Sequence, residues 1–192
     1  PMTSPTVLVK NMVCHRCVLS VEAILQSTGI PFHTVTFGEI HLVNTLSPEQ
    51  CKLLTARLKE VGFDLIDNHM SGLIEKIKQL VILKARNEGD KKDIKINLSA
   101  YLTGKLHYEY THLSSVFSSV EGRTIENYFI EQRIEKAKEL LIYGQMTLSE
   151  IAFELDYSSP AHLSTQFKKT TGLTPSYFKE VGLAKRKALD KV

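Results

Sequence analysis

Near residue 70 the apolar residues of this 192-residue chain change their spacing, from mixed strand-like and helical runs to an almost unbroken helical period. Alternation with period 2 builds a half-buried strand and spacing of three to four builds a helix face, so one layer cannot serve both halves. A chain of this length holds one ordinary domain or two small ones. The change of period is therefore read as a boundary, with one domain over 1–69 and another over 70–192, in which 70–96 form a linking helix and loop. The expected fold class is α+β: an N-terminal ferredoxin-like βαββαβ domain followed by an all-α domain with two helix-turn-helix units.

In the first part, TVLVK places Val7 and Val9 on one strand face, and Val18, Val21, Ile24 and Leu25 make one side of a helix with Gly29 as its C-cap. FHTVTF and EIHLVN are β-rich and separated around Gly38 and Glu39, a hairpin signal. Ser47 and Pro48 start a second helix whose stripe is Cys51, Leu54, Leu58 and Val61, and VGFDLID closes with a strand. Strand, helix, hairpin, helix, strand is the split-βαβ order. On this reading Cys51 is a small core residue.

Beyond the boundary, Leu73, Ile77, Leu80 and Val81 form an apolar stripe, followed by the polar loop NEGDKKD. Thr147 to Glu150 is a capping-box pattern opening a helix with Ile151, Ala152 and Leu155. A turn at Asp156 to Ser159 precedes PAHLSTQFKK, with Pro160 in its first turn and Leu163 and Phe167 facing inward. Small Ala152 lets the two helices cross closely. NLSAYLTGKL, a turn at His107 and Tyr108, and YTHLSSVFSSV repeat the order, with Leu113 and Phe117 in the same roles. Between the units Thr124 caps a long helix in which Ile134, Ala137 and Leu141 suit a buried connector. Two reading heads on such a connector would meet successive major grooves about 34 Å apart.

Net charge is +3 overall, but 1–69 carry 5 basic and 6 acidic side chains and 70–192 carry 19 and 15, so the basic excess sits in the helical part. A hydrophobic fraction of 43% and charged fraction of 23% exclude a disordered or low-complexity chain. Three cysteines are too few for a secreted disulfide framework, and no run approaches the roughly 18 apolar residues of a membrane span. The expected compartment is the reducing cytoplasm. Pro1 before Met2 is read as a processing remnant.

Cys14 and Cys17 fall where the first strand passes into the first helix, where helix N–H groups favour thiolate. Two convergent thiolates without further nearby ligands suit a soft ion of low coordination, with Cu(I) ahead of Zn(II), Ag(I) or Hg(II). A redox dithiol is the enzymatic rival, although the segment lacks the aromatic and proline residues usual around thioredoxin motifs. VKNMVCHRCVLSVEAIL, followed by VGFD, resembles a heavy-metal-associated domain of the copper-chaperone type, with its GMxCxxC pattern, over about 65 residues. Met12, Cys14 and Cys17 match, and Asn11 replaces the usual Gly. The resemblance implies that Met12 tucks into the core beneath the metal loop, that Phe63 closes over it, and that the two cysteines bind the metal.

The helical part resembles the AraC/XylS family DNA-binding domain over about 85 residues. The matching string runs from Leu113, Phe117 and Gly122 through Tyr128, Arg133, Ile134, Ala137, Leu140 and Leu141, to Ile151, Ala152, Phe167, Lys168, Lys169, Gly172, Thr174 and Pro175. Departures are Asp156 in place of Gly, Thr103 in place of Ala, and Phe178-Lys179 in place of Tyr-Arg. Carried over by position, the base-facing residues are Tyr110, Thr111, Ser114 and Ser115 in the first recognition helix and Pro160, Ala161, Ser164 and Thr165 in the second. The set contains no Arg, Gln or Asn, so reading is expected through thymine methyls, single hydroxyl bonds and DNA shape. Arg133, Lys168, Lys169 and Lys179 are the expected phosphate contacts. The basic tail LAKRKALDKV is either a further phosphate contact or frayed.

These readings combine into a regulator that binds promoter DNA and answers to a soft metal at Cys14 and Cys17, with no catalytic activity. RNA polymerase and a second copy of the chain are the further partners. Two alternatives stay open: the first domain as a dimerisation or docking module without metal sensing, and a copper metallochaperone.

Overall fold

The computed structural model describes residues 5–189. Along the chain the elements are β1 (Thr6–Lys10), α1 (His15–Ser27), β2 (Phe32–Thr36), β3 (Glu39–Leu42), α2 (Pro48–Glu60), β4 (Asp64–Ile66), α3 (Asn68–Ala85), α4 (Leu98–Leu106), α5 (Tyr110–Glu121), α6 (Ile125–Tyr143), α7 (Leu148–Glu154), α8 (Pro160–Thr171) and α9 (Pro175–Leu189). Pro1 and Met2 lie outside the described residues, as do the tail's side chains from residue 185 onward. Among the described residues no helix is long and apolar enough to cross a membrane.

The chain divides into two compact units, and the division is interleaved. One unit takes the chain up to Lys78 together with Tyr108–Ile125, and the other takes Gln79–His107 and everything from Glu126. Helix α5 thus belongs to the unit that contains the sheet.

In that unit the four strands lie in the order β2-β3-β1-β4, with every neighbouring pair antiparallel. Register sets Val7 against Ile40 and Val9 against Leu65. Helix α1 buries Val18, Val21 and Leu25, and α2 buries Leu54 and Leu58, into a core shared with Val9, Met12, Val35, Ile40, Leu42 and Phe63. Ser47 and Gln50 close a capping box at the start of α2, satisfying two orphan N–H groups reciprocally. Two expectations for α2 need correcting. Cys51 is exposed, because the buried arc of this helix is narrow and centred on Leu54 and Leu58. Val61 is 51% exposed, since the helix has ended and Val61 is its C-cap.

The hairpin turn is Phe37-Gly38, with Thr36 paired to Glu39. Gly38 adopts φ +78°, and a Cβ there would lie 2.6 Å from the Val120 carbonyl oxygen. Only glycine allows the last turn of α5 to approach this closely. The Asn11 N–H donates to the Ser119 carbonyl at 2.8 Å, and Lys78 pairs with Glu121 at 2.5 Å.

In the second unit α6 supplies Ile134, Ala137 and Leu141 to a core completed by Ile151, Ala152, Leu155, Tyr157, Leu163 and Phe167. Phe178 of α9 packs edge-on against Phe167, with ring centroids 5.5 Å apart. Arg86 grips Glu139 through two parallel bonds of 3.1 and 2.7 Å, and Lys136 reaches Glu88 at 3.1 Å. This network holds the end of α3 to α6.

Candidate nucleic-acid interface and thiol pair

The second helix-turn-helix is built from local signals. Thr147 and Glu150 cap α7 through a reciprocal pair of bonds, the pattern legible in the sequence. The turn uses Asp156 at φ +56°, a left-handed conformation that Asp tolerates and that explains why glycine suits this position. Ser159 then caps α8, its Oγ accepting from the His162 N–H at 3.0 Å, and Pro160 follows at the first helical position. Leu163 and Phe167 are fully buried, which fixes the rotation of α8 about its axis.

That rotation leaves Pro160, Ala161 and Thr165 exposed and Ser164 half-buried. The Thr165 hydroxyl donates to the Ala161 carbonyl at 2.9 Å, so its methyl and oxygen lone pairs are what remain for a partner. Lys168 and Lys169 lie exposed in the last turn of α8, where they also complement the helix dipole. Lys179 is half-buried on α9.

Helix α5, expected as the first recognition helix, follows the same rule. Leu113 and Phe117 are fully buried, while Thr111 and Ser115 are exposed and Tyr110 and Ser114 half-buried along its first two turns. Helix α4 ends in His107 at φ +58°, the counterpart of Asp156, and its N–H donates to the Thr103 carbonyl. Thus both turns place a non-glycine residue in the left-handed region.

Arg133, expected as a phosphate contact, also makes contacts within the helical unit. One terminal nitrogen donates to the Leu155 carbonyl at 2.7 Å, and the guanidinium lies 3.7 Å from the centroid of the Tyr157 ring and 5.2 Å from that of Phe129. Burial pushes its pKa below the ordinary guanidinium range, and its Nε is buried without a hydrogen-bond partner. The guanidinium thus holds the end of α7 in place through the Leu155 carbonyl, while the residue stays half-buried.

At the other candidate site, Cys14 is the exposed N-cap of α1 and Cys17 is half-buried against the sheet-unit core. Their sulfurs are 3.2 Å apart. The hydrogen bond with Cys14 holds the Cys17 thiol below the usual thiol range, with partial burial opposing and backbone N–H groups assisting. Met12 is 2% exposed and lies in the core, as does Phe63. Asn11 takes φ +70°, again a left-handed residue where the metal-loop pattern has glycine, and its side-chain amide donates to the Gly62 carbonyl at 3.3 Å.

Among the described residues no group of three or more His, Cys, Asp or Glu side chains converges. The two sulfurs by themselves fit a soft ion of low coordination.

A helix-turn-helix domain family model matches residues 102–180. The HTH-type transcriptional regulator in the cgkA 5′ region of Pseudoalteromonas carrageenovora is 36% identical over 87 residues, 45% of this chain and 49% of that protein. Probable transcription factor PqrA of Proteus vulgaris is 32% identical over 106 residues, 55% of this chain and 81% of that protein. Among solved structures, the C-terminal domain of the two-component response regulator yesN from Fusobacterium nucleatum is 25% identical. That alignment covers 55% of this chain and 95% of that one, with a TM-score of 0.45. The chain spans about half the length of the cgkA-region relative. The helical part thus carries the matched sequence, and the chain belongs to the family of AraC-type helix-turn-helix transcription regulators.

Proposed function

We propose that this chain binds promoter DNA through α5 and α8 and that a soft metal, Cu(I) first, binds at Cys14 and Cys17 and controls that binding. The observation that carries the DNA reading is the exposed row Pro160, Ala161, Thr165 on a capped helix whose opposite side is locked by Leu163 and Phe167. A rigid helix with a small, uncharged outer face suits entry into a major groove. Tyr110, Thr111, Ser114 and Ser115 on α5 and Ser164 on α8 complete the base-facing set. Lys168, Lys169 and Lys179 contact phosphate.

The metal reading is supported by the two sulfurs 3.2 Å apart at a helix N-terminus, and by Met12 and Phe63 in the core beside the loop that bears them. The βαββαβ order with strand sequence β2-β3-β1-β4 suits a ferredoxin-like module of the heavy-metal-associated type. RNA polymerase and a second copy of the chain are the proposed protein partners.

A titration of the reduced chain with Cu(I), with DNA affinity read in the same samples on a site selected from a random pool, tests this reading. Binding of one Cu(I), lost in the Cys14→Ser, Cys17→Ser double variant, and an affinity change of about 5-fold or more are expected. An affinity indifferent to Cu(I) overturns metal control, and failure to select any sequence overturns specific DNA binding.

A further inference from the structure

The two recognition helices are not anchored alike. Helix α8 is seated on α6, α7 and α9 within the helical core. Helix α5 is grouped with the sheet that carries the cysteine loop. Its first two turns bear the residues placed on DNA, and its last turn is the part tied to the sheet.

Those ties run to the cysteine loop. Ser119 near the end of α5 accepts from the Asn11 N–H at 2.8 Å, and Asn11 stands three residues before Cys14. The Asn11 side chain in turn donates to the Gly62 carbonyl, next to buried Phe63. Met12 is clamped in the core between Asn11 and the cysteines. On the hairpin, Gly38 lies against the Val120 carbonyl and its own carbonyl accepts from the Val9 N–H at 2.9 Å. Glu121 is further held by Lys78.

We propose that metal occupancy of Cys14 and Cys17 is transmitted to DNA through α5 alone, so that the ion tightens the half-site read by the first recognition helix and leaves the α8 half-site unchanged. The inference rests on the metal reading above and deepens it. A bridge between the two sulfurs removes freedom from the segment linking Asn11 to α1. Ordering that segment stabilises the Asn11 N–H on the Ser119 carbonyl, and hence the orientation of α5, without requiring a large displacement. Asn11 is the positioning residue at this junction.

The test uses the reduced 192-residue chain on DNA selected from a random pool, with hydroxyl-radical footprints recorded across a Cu(I) titration. Ser115→Glu and Thr165→Glu assign the half-sites, each removing protection from the half read by its own helix. Protection of the α5 half-site is expected to strengthen about tenfold with Cu(I), and that of the α8 half-site to move by less than about twofold. Gly38→Ala, which drives a Cβ into the Val120 carbonyl, is expected to keep Cu(I) stoichiometry but abolish the selective response. Asn11→Gly, which preserves the left-handed backbone while removing the bond to Gly62, is expected to weaken that response and is the second variant should Gly38→Ala fail to fold. Equal strengthening of both halves, or a response confined to the α8 half, overturns this inference while leaving metal control standing. Absence of Cu(I) binding at the cysteines overturns both.

Discussion

Arg133 shows how a residue's environment changes the meaning of its charge. Held between two aromatic rings and bonded to the Leu155 carbonyl, it satisfies the end of α7 where the recognition turn begins. Arg133→Ala leaves that carbonyl without its donor and removes the ring packing, so a loss of about 2–3 kcal/mol is expected in urea unfolding. Lys in its place would not restore the stacked, planar contact. The salt dependence of DNA binding is expected to stay the same for any Arg133→Ala protein that remains folded. A fall of about one unit in the log–log salt slope, with stability unchanged, would instead return Arg133 to the phosphate contacts. Nothing in the one-dimensional spacing announces this role, because Tyr157 and Leu155 lie more than twenty residues away and only folding brings them together.

At the scale of elements, the hydrogen-bonded ends of helices were legible and their burial arcs less so. Capping at Ser47 and Thr147 depends on residues three apart, which sequence displays directly. The inward positions of α8 follow equally from spacing. The exposure of Cys51 does not, since the width of the buried arc of α2 depends on what covers it. The tie between α3 and α6 was also hidden, being a long-range arrangement of Arg86, Glu88, Lys136 and Glu139. There the hydrogen bond from Lys136 holds the Glu88 carboxyl below its usual range, with Arg86 assisting and partial burial opposing. A carboxylate whose folded pKa is depressed stabilises fully above its unfolded value and loses that contribution as pH falls through the folded value. Glu88→Gln should therefore flatten the stability profile below the ordinary carboxylate range, as read by thermal unfolding from neutral to acid pH. An unaltered acid limb would show that Glu88 contributes nothing to this tie; the group is largely exposed, so the effect is modest.

For the whole molecule, the small basic excess demands placement over quantity. If the proposed base-facing residues, uncharged and apart from Tyr110 small, do the reading, affinity has to come from a few phosphate contacts, and Lys168 and Lys169 are the exposed cations on α8 itself. Lys168→Ala and Lys169→Ala should each weaken binding to selected and unrelated DNA alike and lower the salt slope by about 1. A loss confined to the selected sequence would mean that the lysine reads bases.

The sequence by itself determined the order of elements, the two recognition turns, the inward faces of α5 and α8, and the pairing of Cys14 with Cys17. All of these rest on interactions between residues a few positions apart, or on periodicity that a single element must obey. Only the tertiary structure decided that Arg133 turns inward, that Cys51 is exposed, and that α5 joins the sheet unit. That last choice depends on Gly38 admitting the backbone of Val120 and on Asn11 reaching Ser119, contacts between residues about 80 to 110 positions apart. Their energy exists only once the chain has closed those loops, and no local pattern records it.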